Sequence, residues 1–210
     1  MYEKIVYDFV GTSGCGKTTI MKDITHIFEE LGRSVNIVES SSRTMLKQFD
    51  LQLYDKTSDF TQCFISLLNW TDILESIQNY DVTLCTDLGV RSLAYTMYSP
   101  NNAEVTLHAH RKMVQFFAST LFSAKVLPIW VYLPLEIPMD INPEDEHRGY
   151  VKLSEHEKVC GLVRYVLQSL HLPHYILTGD FDERIDKMGE LIYRLDASLN
   201  RSTHVGGQVL

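Results

Sequence analysis

The chain has 210 residues, 45% hydrophobic and 22% charged, the balance of a globular domain. That length lets one domain bury about 70% of the surface its unfolded form exposes, so neither disulfide nor structural-metal staples are required. Acidic residues number 27 against 19 basic ones, a formal charge of -8, which disfavours a general duplex-binding surface and leaves open only a local basic pocket or a short single-stranded groove.

Residues 4–10, KIVYDFV, are apolar and β-rich and run straight into GTSGCGKTT, which predicts a buried strand meeting a glycine loop. Ile20, Ile24, Ile27, Phe28 and Leu31 then share one helical face, and Gly32 supplies the stop. A second strand is predicted from Ser34 to Val38, ending at Glu39, after which Ser40-Ser41-Ser42-Arg43 opens a short helix. A helical pattern over roughly 58 to 79 carries Phe64, Leu67, Leu68 and Leu74. The third strand, Val82 to Thr86, delivers Asp87; Arg91 to Tyr98, a Pro-Asn-Asn break and a long helical pattern from about 104 to 123 follow. Val126 to Leu133 is the fourth strand. The segment 134–154, rich in proline and acid and holding His147 and Arg148, has no helical period and reads as a mobile excursion suited to a lid. Val159 through Leu170 form another amphipathic helix, His174 to Leu177 a fifth short strand, and Asp182 to Leu199 a last helix, before a tail expected to fray.

Strands alternating with helices of this length imply an α/β fold, a three-layer sandwich with a five-stranded, mostly parallel sheet and helices on both faces, in one domain over 1–200. Ligands of such sheets lie beyond the carboxyl ends of the strands. Glu39, Asp87 and the glycine loop all fall there.

Gly11-Thr12-Ser13-Gly14-Cys15-Gly16-Lys17-Thr18 satisfies the phosphate-loop pattern G-x-x-x-x-G-K-S/T in full, in the strand-to-helix context the motif requires, with Thr19 following. Its glycines let backbone N–H groups curl around phosphate oxygens, and the helix start behind them adds favourable dipole. Lys17 is expected on the β- and γ-phosphates and Thr18 on magnesium. The alternative is an ordinary glycine turn. No N-K-x-D run is present for guanine reading, so ATP is the expected nucleotide, and the chain is too short for a AAA+ module with its helical lid domain. Gly206-Gly207-Gln208, after every strand, is a chance match to part of a transporter-ATPase signature.

Asp87 is placed to hold magnesium or to take a proton from an attacking hydroxyl, or else to cap the helix after it. Glu39 suits a hydrogen bond to a substrate hydroxyl, or a cap of its own. Arg43 and Arg91 could hold polar or phosphate groups of a substrate, or lie on solvated helix faces. Arg148 could close over a transferred phosphoryl group, or pair at the surface with Glu144 or Asp145. His108 and His110 are read as structural or exposed, Trp70 and Trp130 as core, and Thr178-Gly179-Asp180 as a loop able to meet a base. The four cysteines are far apart and read as reduced thiols. The longest apolar run, Val126 to Leu135, is too short for a membrane span of about 20 residues. Met1-Tyr2-Glu3-Lys4 does not read as a secretory start, and a cytoplasmic location is expected.

In order, GTSGCGKTT, VESSSR, LCTDLGVRSLAY, DEHRGY and HLPHYILTGDFDERIDKM resemble the P-loop kinase-like family that includes the ribosylnicotinamide kinase domain of NadR proteins and phage or bacterial AAA-type ATP-binding proteins. The resemblance implies ATP-dependent phosphorylation of a nucleoside-like hydroxyl or a nucleotide, with ATP-magnesium on Lys17 and Thr18, Asp87 as the acidic residue after the third strand and Arg148 as the lid arginine. Glu39 and Arg43 resemble the family's E-x-x-R pair with one residue more between them. The expected activity is therefore that of a small kinase, its partners ATP and a nucleoside-like molecule, with no membrane contact; a homo-oligomer is possible. The alternatives are a kinase acting on a modified base in DNA and a nucleotide-gated binding module in which ATP orders the 134–154 excursion.

Overall fold

The computed structural model describes residues 2–40, 61–99, 104–136 and 153–204, together with Ser42 and Gln48. In chain order these form β1 (Lys4–Val10), α1 (Lys17–Asp23), α2 (Thr25–Glu30), β2 (Val35–Val38), α3 (Thr61–Asn79) and β3 (Val82–Cys85). They continue with α4 (Val90–Tyr98), α5 (Glu104–Ser123), β4 (Val126–Tyr132), α6 (Leu153–Ser169), β5 (His174–Ile176) and α7 (Phe181–His204).

The strands make one five-stranded sheet in the order β2-β3-β1-β4-β5, and every pairing is parallel. β1 is central and, but for Lys4 and Asp8, apolar in both alternating sets, as burial on two faces demands. Val6 and Val10 enter a core with Trp70, Val114, Trp130 and Val163, lined by α3, α4, α5 and α6. Ile5, Tyr7 and Phe9 enter a second core with Ile20, Phe28, Val131 and Met188, lined by α1, α2 and α7. β4 divides likewise, in register with β1 from Lys4 opposite Val126 to Val10 opposite Tyr132. Trp70 and Phe117 stack at 4.4 Å and 9°, joining α3 to α5. Both tryptophans are core residues, as expected.

Two expectations are corrected, and the helix expected over 58 to 79 shows which face it packs. The helix after the glycine loop divides at Ile24 into α1 and α2, where the Thr25 hydroxyl donates to the Met21 carbonyl; such back-bonding competes with the helical ladder and bends helices. On α3, Phe64, Leu67, Leu68 and Leu74 face outward, while Gln62, Ser66, Asn69 and Ser76 are buried. Ser66 and Ser76 find inward partners in His110 and Thr83, so this helix packs through a mixed polar face. The last helix runs to His204, beyond the end expected at Leu199.

Candidate active site

The chain leaves β1 and curls at once. A Cβ on Gly11 would stand 2.6 Å from the Leu133 carbonyl oxygen and 2.8 Å from Cys15 Sγ, so only glycine lets the loop lie against the exit of β4. Gly14 and Gly16 take left-handed backbone, φ 80° and 87°. Gly16 is the N-cap of α1, and among the described residues no side-chain cap bonds that end. Lys17 is nearly buried; its ammonium donates to the Gly11 carbonyl at 3.0 Å and to the Thr12 carbonyl, with Cys15 Sγ at 3.4 Å. The Cys15 thiol donates to the Thr12 carbonyl at 3.1 Å, and Cys160 Sγ on α6 lies 3.8 Å from Thr12 Oγ1. Thr12 and Ser13 are buried, whereas Gly14, Thr18 and Thr19 are exposed.

Beside the loop, β3 and β2 end in a second constellation. Asp87 is 1% exposed and saturated by the protein: Oδ1 accepts from the N–H groups of Gly89 (2.9 Å) and Ser92 (3.3 Å), and Oδ2 from the Ser92 hydroxyl, with Arg91 at 3.6 Å. The capping alternative for Asp87 is thus present in the structure. Arg91, largely buried, also donates to Ser40 Oγ at 2.8 Å, and Ser40 in turn bonds Ser42. Arg91 therefore ties the end of β3 to the end of β2. Glu39 is exposed and, among the described residues, has no hydrogen-bond partner. It also lines an open groove of about 440 Å³ with Asp72, Glu75 and Tyr80; three carboxylates make that groove hostile to phosphate. Arg43, Arg148 and most of the 134–154 excursion lie outside the described residues, as does most of the short helix expected after Ser40.

Sequence reasoning missed two residues here. Asp8 stands in the middle of β1, fully buried, and accepts from the Leu88 N–H at 3.1 Å. Burial, then the charge of Asp87, pushes its carboxyl well above the usual range, while Arg91 and Lys17 pull the other way. One acid inside an apolar strand was the signal for it. The other is Arg184, fully buried near the start of α7, whose guanidinium reaches the Cys15 carbonyl of the loop at 3.3 Å. Its position shares the helical period of Met188, Leu191 and Ile192.

The Thr178-Gly179-Asp180 loop is occupied by a reciprocal cap: Asp180 Oδ1 accepts from the Glu183 N–H at 3.0 Å, and Glu183 Oε2 from the Asp180 N–H at 3.1 Å. His110 is buried between the Ser66 and Thr96 hydroxyls, whereas His108 is exposed. All four cysteines are free thiols. No helix among the described residues is long and apolar enough to cross a membrane.

No protein-family model matches the chain, and no curated protein matches it. Among solved structures, NadR protein in complex with NR superposes on 92% of this chain with a TM-score of 0.63 at 15% identity. NadR protein in complex with NAD and AMP-PNP does so over 92% with a TM-score of 0.62 at 13% identity. The chain spans about half the length of these proteins, 50% and 49%. At such identity the likeness shows the fold, and it agrees with the fold that the motifs imply.

Proposed function

We propose that the chain is an ATP-dependent phosphotransferase that passes the γ-phosphoryl group to a hydroxyl of a nucleoside or nucleotide. The observation that carries this reading is the meeting, at one sheet edge, of a curled glycine loop with Lys17 folded into it and the Asp87–Arg91–Ser40 constellation beside it.

The loop N–H groups and Lys17 would take the β- and γ-phosphates, the ammonium exchanging the Gly11 and Thr12 carbonyls for phosphate oxygens. Among the described residues no cluster of three or more His, Cys, Asp or Glu stands ready for a metal. That suits magnesium, which keeps several waters and binds mainly through phosphates and one or two protein groups. Thr18 and Asp87 are the residues that would hold it, Asp87 through water because its own oxygens are engaged, and it would neutralise phosphate charge. In the transfer an acceptor hydroxyl oxygen forms a bond to the γ-phosphorus while the bond from that phosphorus to the β–γ bridging oxygen breaks, and ADP leaves with the electron pair. The hydroxyl proton passes to Glu39, the carboxylate whose acceptor sites are open, while Asp87 holds Arg91 in place to orient the acceptor. Arg148 is the candidate to close over the transferred group, and Arg43 to hold the acceptor.

The test incubates the full chain with ATP and magnesium against a panel of nucleosides, nucleotides and short single-stranded DNA, following ADP release and labelled product. One acceptor class should be phosphorylated, and Lys17→Ala should lower transfer at least about a hundredfold with an unchanged thermal midpoint. ATP binding without product across the whole panel would overturn the transferase reading and leave a nucleotide-gated binding module.

A further inference from the structure

Arg184 is an expensive residue to bury. It has no exposed surface, and its Nε has no hydrogen-bond partner among the described residues. Its terminal nitrogens donate to two carbonyls, Cys15 at 3.3 Å and Pro134 at 3.1 Å, and lie 3.4 Å from Glu136 Oε2. That carboxylate oxygen also accepts from the Gly179 N–H at 2.9 Å. Three loops beyond the carboxyl ends of β1, β4 and β5 are thus joined through one cation. A half-exposed acid and two carbonyls are poor compensation for a desolvated guanidinium, and apolar residues of similar volume commonly serve stability as well or better at such sites.

The Cys15 contact shows what the charge could do. The Cys15 carbonyl and the Gly16 N–H belong to one trans peptide unit, so they point in opposite directions. A guanidinium that fixes the Cys15 carbonyl turns the Gly16 N–H to the side away from itself and polarises that peptide by a charge-assisted bond.

We propose that Arg184 is a positioning residue for anion binding at the glycine loop: it orients the Cys15–Gly16 peptide and, through Glu136, couples that loop to Gly179. The proposal rests on the reading of the loop as a triphosphate site.

Calorimetry on the full chain with magnesium-ATP and with magnesium-tripolyphosphate, beside thermal melting, tests it. Arg184→Met should keep the thermal midpoint within a few degrees, yet weaken both ligands about tenfold or more, the size of one charge-assisted hydrogen bond. Arg184→Lys, which keeps the charge and loses the fork, should fall between Met and wild type, and it serves alone if the Met variant does not fold. Equal loss for tripolyphosphate and ATP is the signature of an effect on the loop rather than on a base pocket. Variants that bind both ligands within twofold of wild type would overturn the role of Arg184 and leave the phosphate loop intact. Wild-type protein that binds neither ligand would overturn the phosphate-loop reading and this proposal with it.

Discussion

Three carboxylates lie on or just after β1, β2 and β3, and their surroundings separate them. Glu39 is exposed and open, Asp87 is buried and saturated, and Asp8 is buried with its carboxyl held toward the protonated form. Glu39→Gln should therefore lower kcat about a hundredfold or more in the transfer assay while the melting curve stays in place, because an exposed amide replaces an exposed acid. Asp87→Asn should act on the fold itself: the Arg91 guanidinium, largely buried 3.6 Å away, loses its counter-charge, at a cost of about 2 kcal/mol or more in urea unfolding. Asp8→Asn keeps the shape, can still accept from Leu88 and removes a charge that burial already disfavours, so it should cost less than about 1 kcal/mol. A loss at Asp8 as large as that at Asp87 would contradict the view that burial disfavours the Asp8 charge.

At the scale of elements, the start of α7 is the simplest to test. Asp180 and Glu183 satisfy each other's backbone N–H groups, so Asp180→Ala should cost about 1 kcal/mol and lower the thermal midpoint by about 2–4 °C. The D-x-x-E spacing is visible in the sequence, but a loop that follows a strand in such a sheet is equally a place for ligand contact, and spacing alone does not separate the two. β1, β3 and β4 were legible because a strand buried on both faces must be apolar throughout, and nothing else in the chain is both so short and so apolar. The glycine loop was legible for a similar reason: few backbones other than this curl need glycine at those spacings. α3 was legible as a helix but not in its packing: Phe64, Leu67, Leu68 and Leu74 are exposed, whereas its buried Ser66 and Ser76 find partners on α5 and β3 that no local pattern reveals. The same limit hid Arg184, whose three partners come from segments far from it in the chain.

Across the whole molecule, a line of polar contacts runs from the candidate site into the packing of α4 against α3 and α5. The Ser92 hydroxyl bonds Asp87, the Thr96 hydroxyl donates to the Ser92 carbonyl at 3.1 Å, and His110 stands between Thr96 Oγ1 at 2.9 Å and Ser66 Oγ at 3.0 Å. Thr96 has one hydroxyl proton, spent on Ser92, so it must accept from His110 Nδ1–H; the neutral ring then accepts at Nε2 from Ser66. Burial agrees with a neutral ring, pushing the His110 imidazole down to about 4 against a weaker upward pull from Asp87. The unfolded chain binds a proton on this ring below about 6.5, the folded one only below about 4. Between those values the unfolded state holds more protons, so stability falls as pH drops through the window and levels off below it, by up to about 3 kcal/mol. Asp8 acts in the opposite sense, since a raised carboxyl pKa gives stability that is lost as pH rises. Absolute stability curves therefore mix the two, and the informative quantity is the difference between wild type and His110→Asn in urea unfolding. The variant should be the less stable at pH 7, and the gap should close by up to about 3 kcal/mol on the way to pH 4. A gap that stays constant over that range would mean that the ring titrates alike in both states, and the hydrogen-bond line from Asp87 to Ser66 would lose its neutral member.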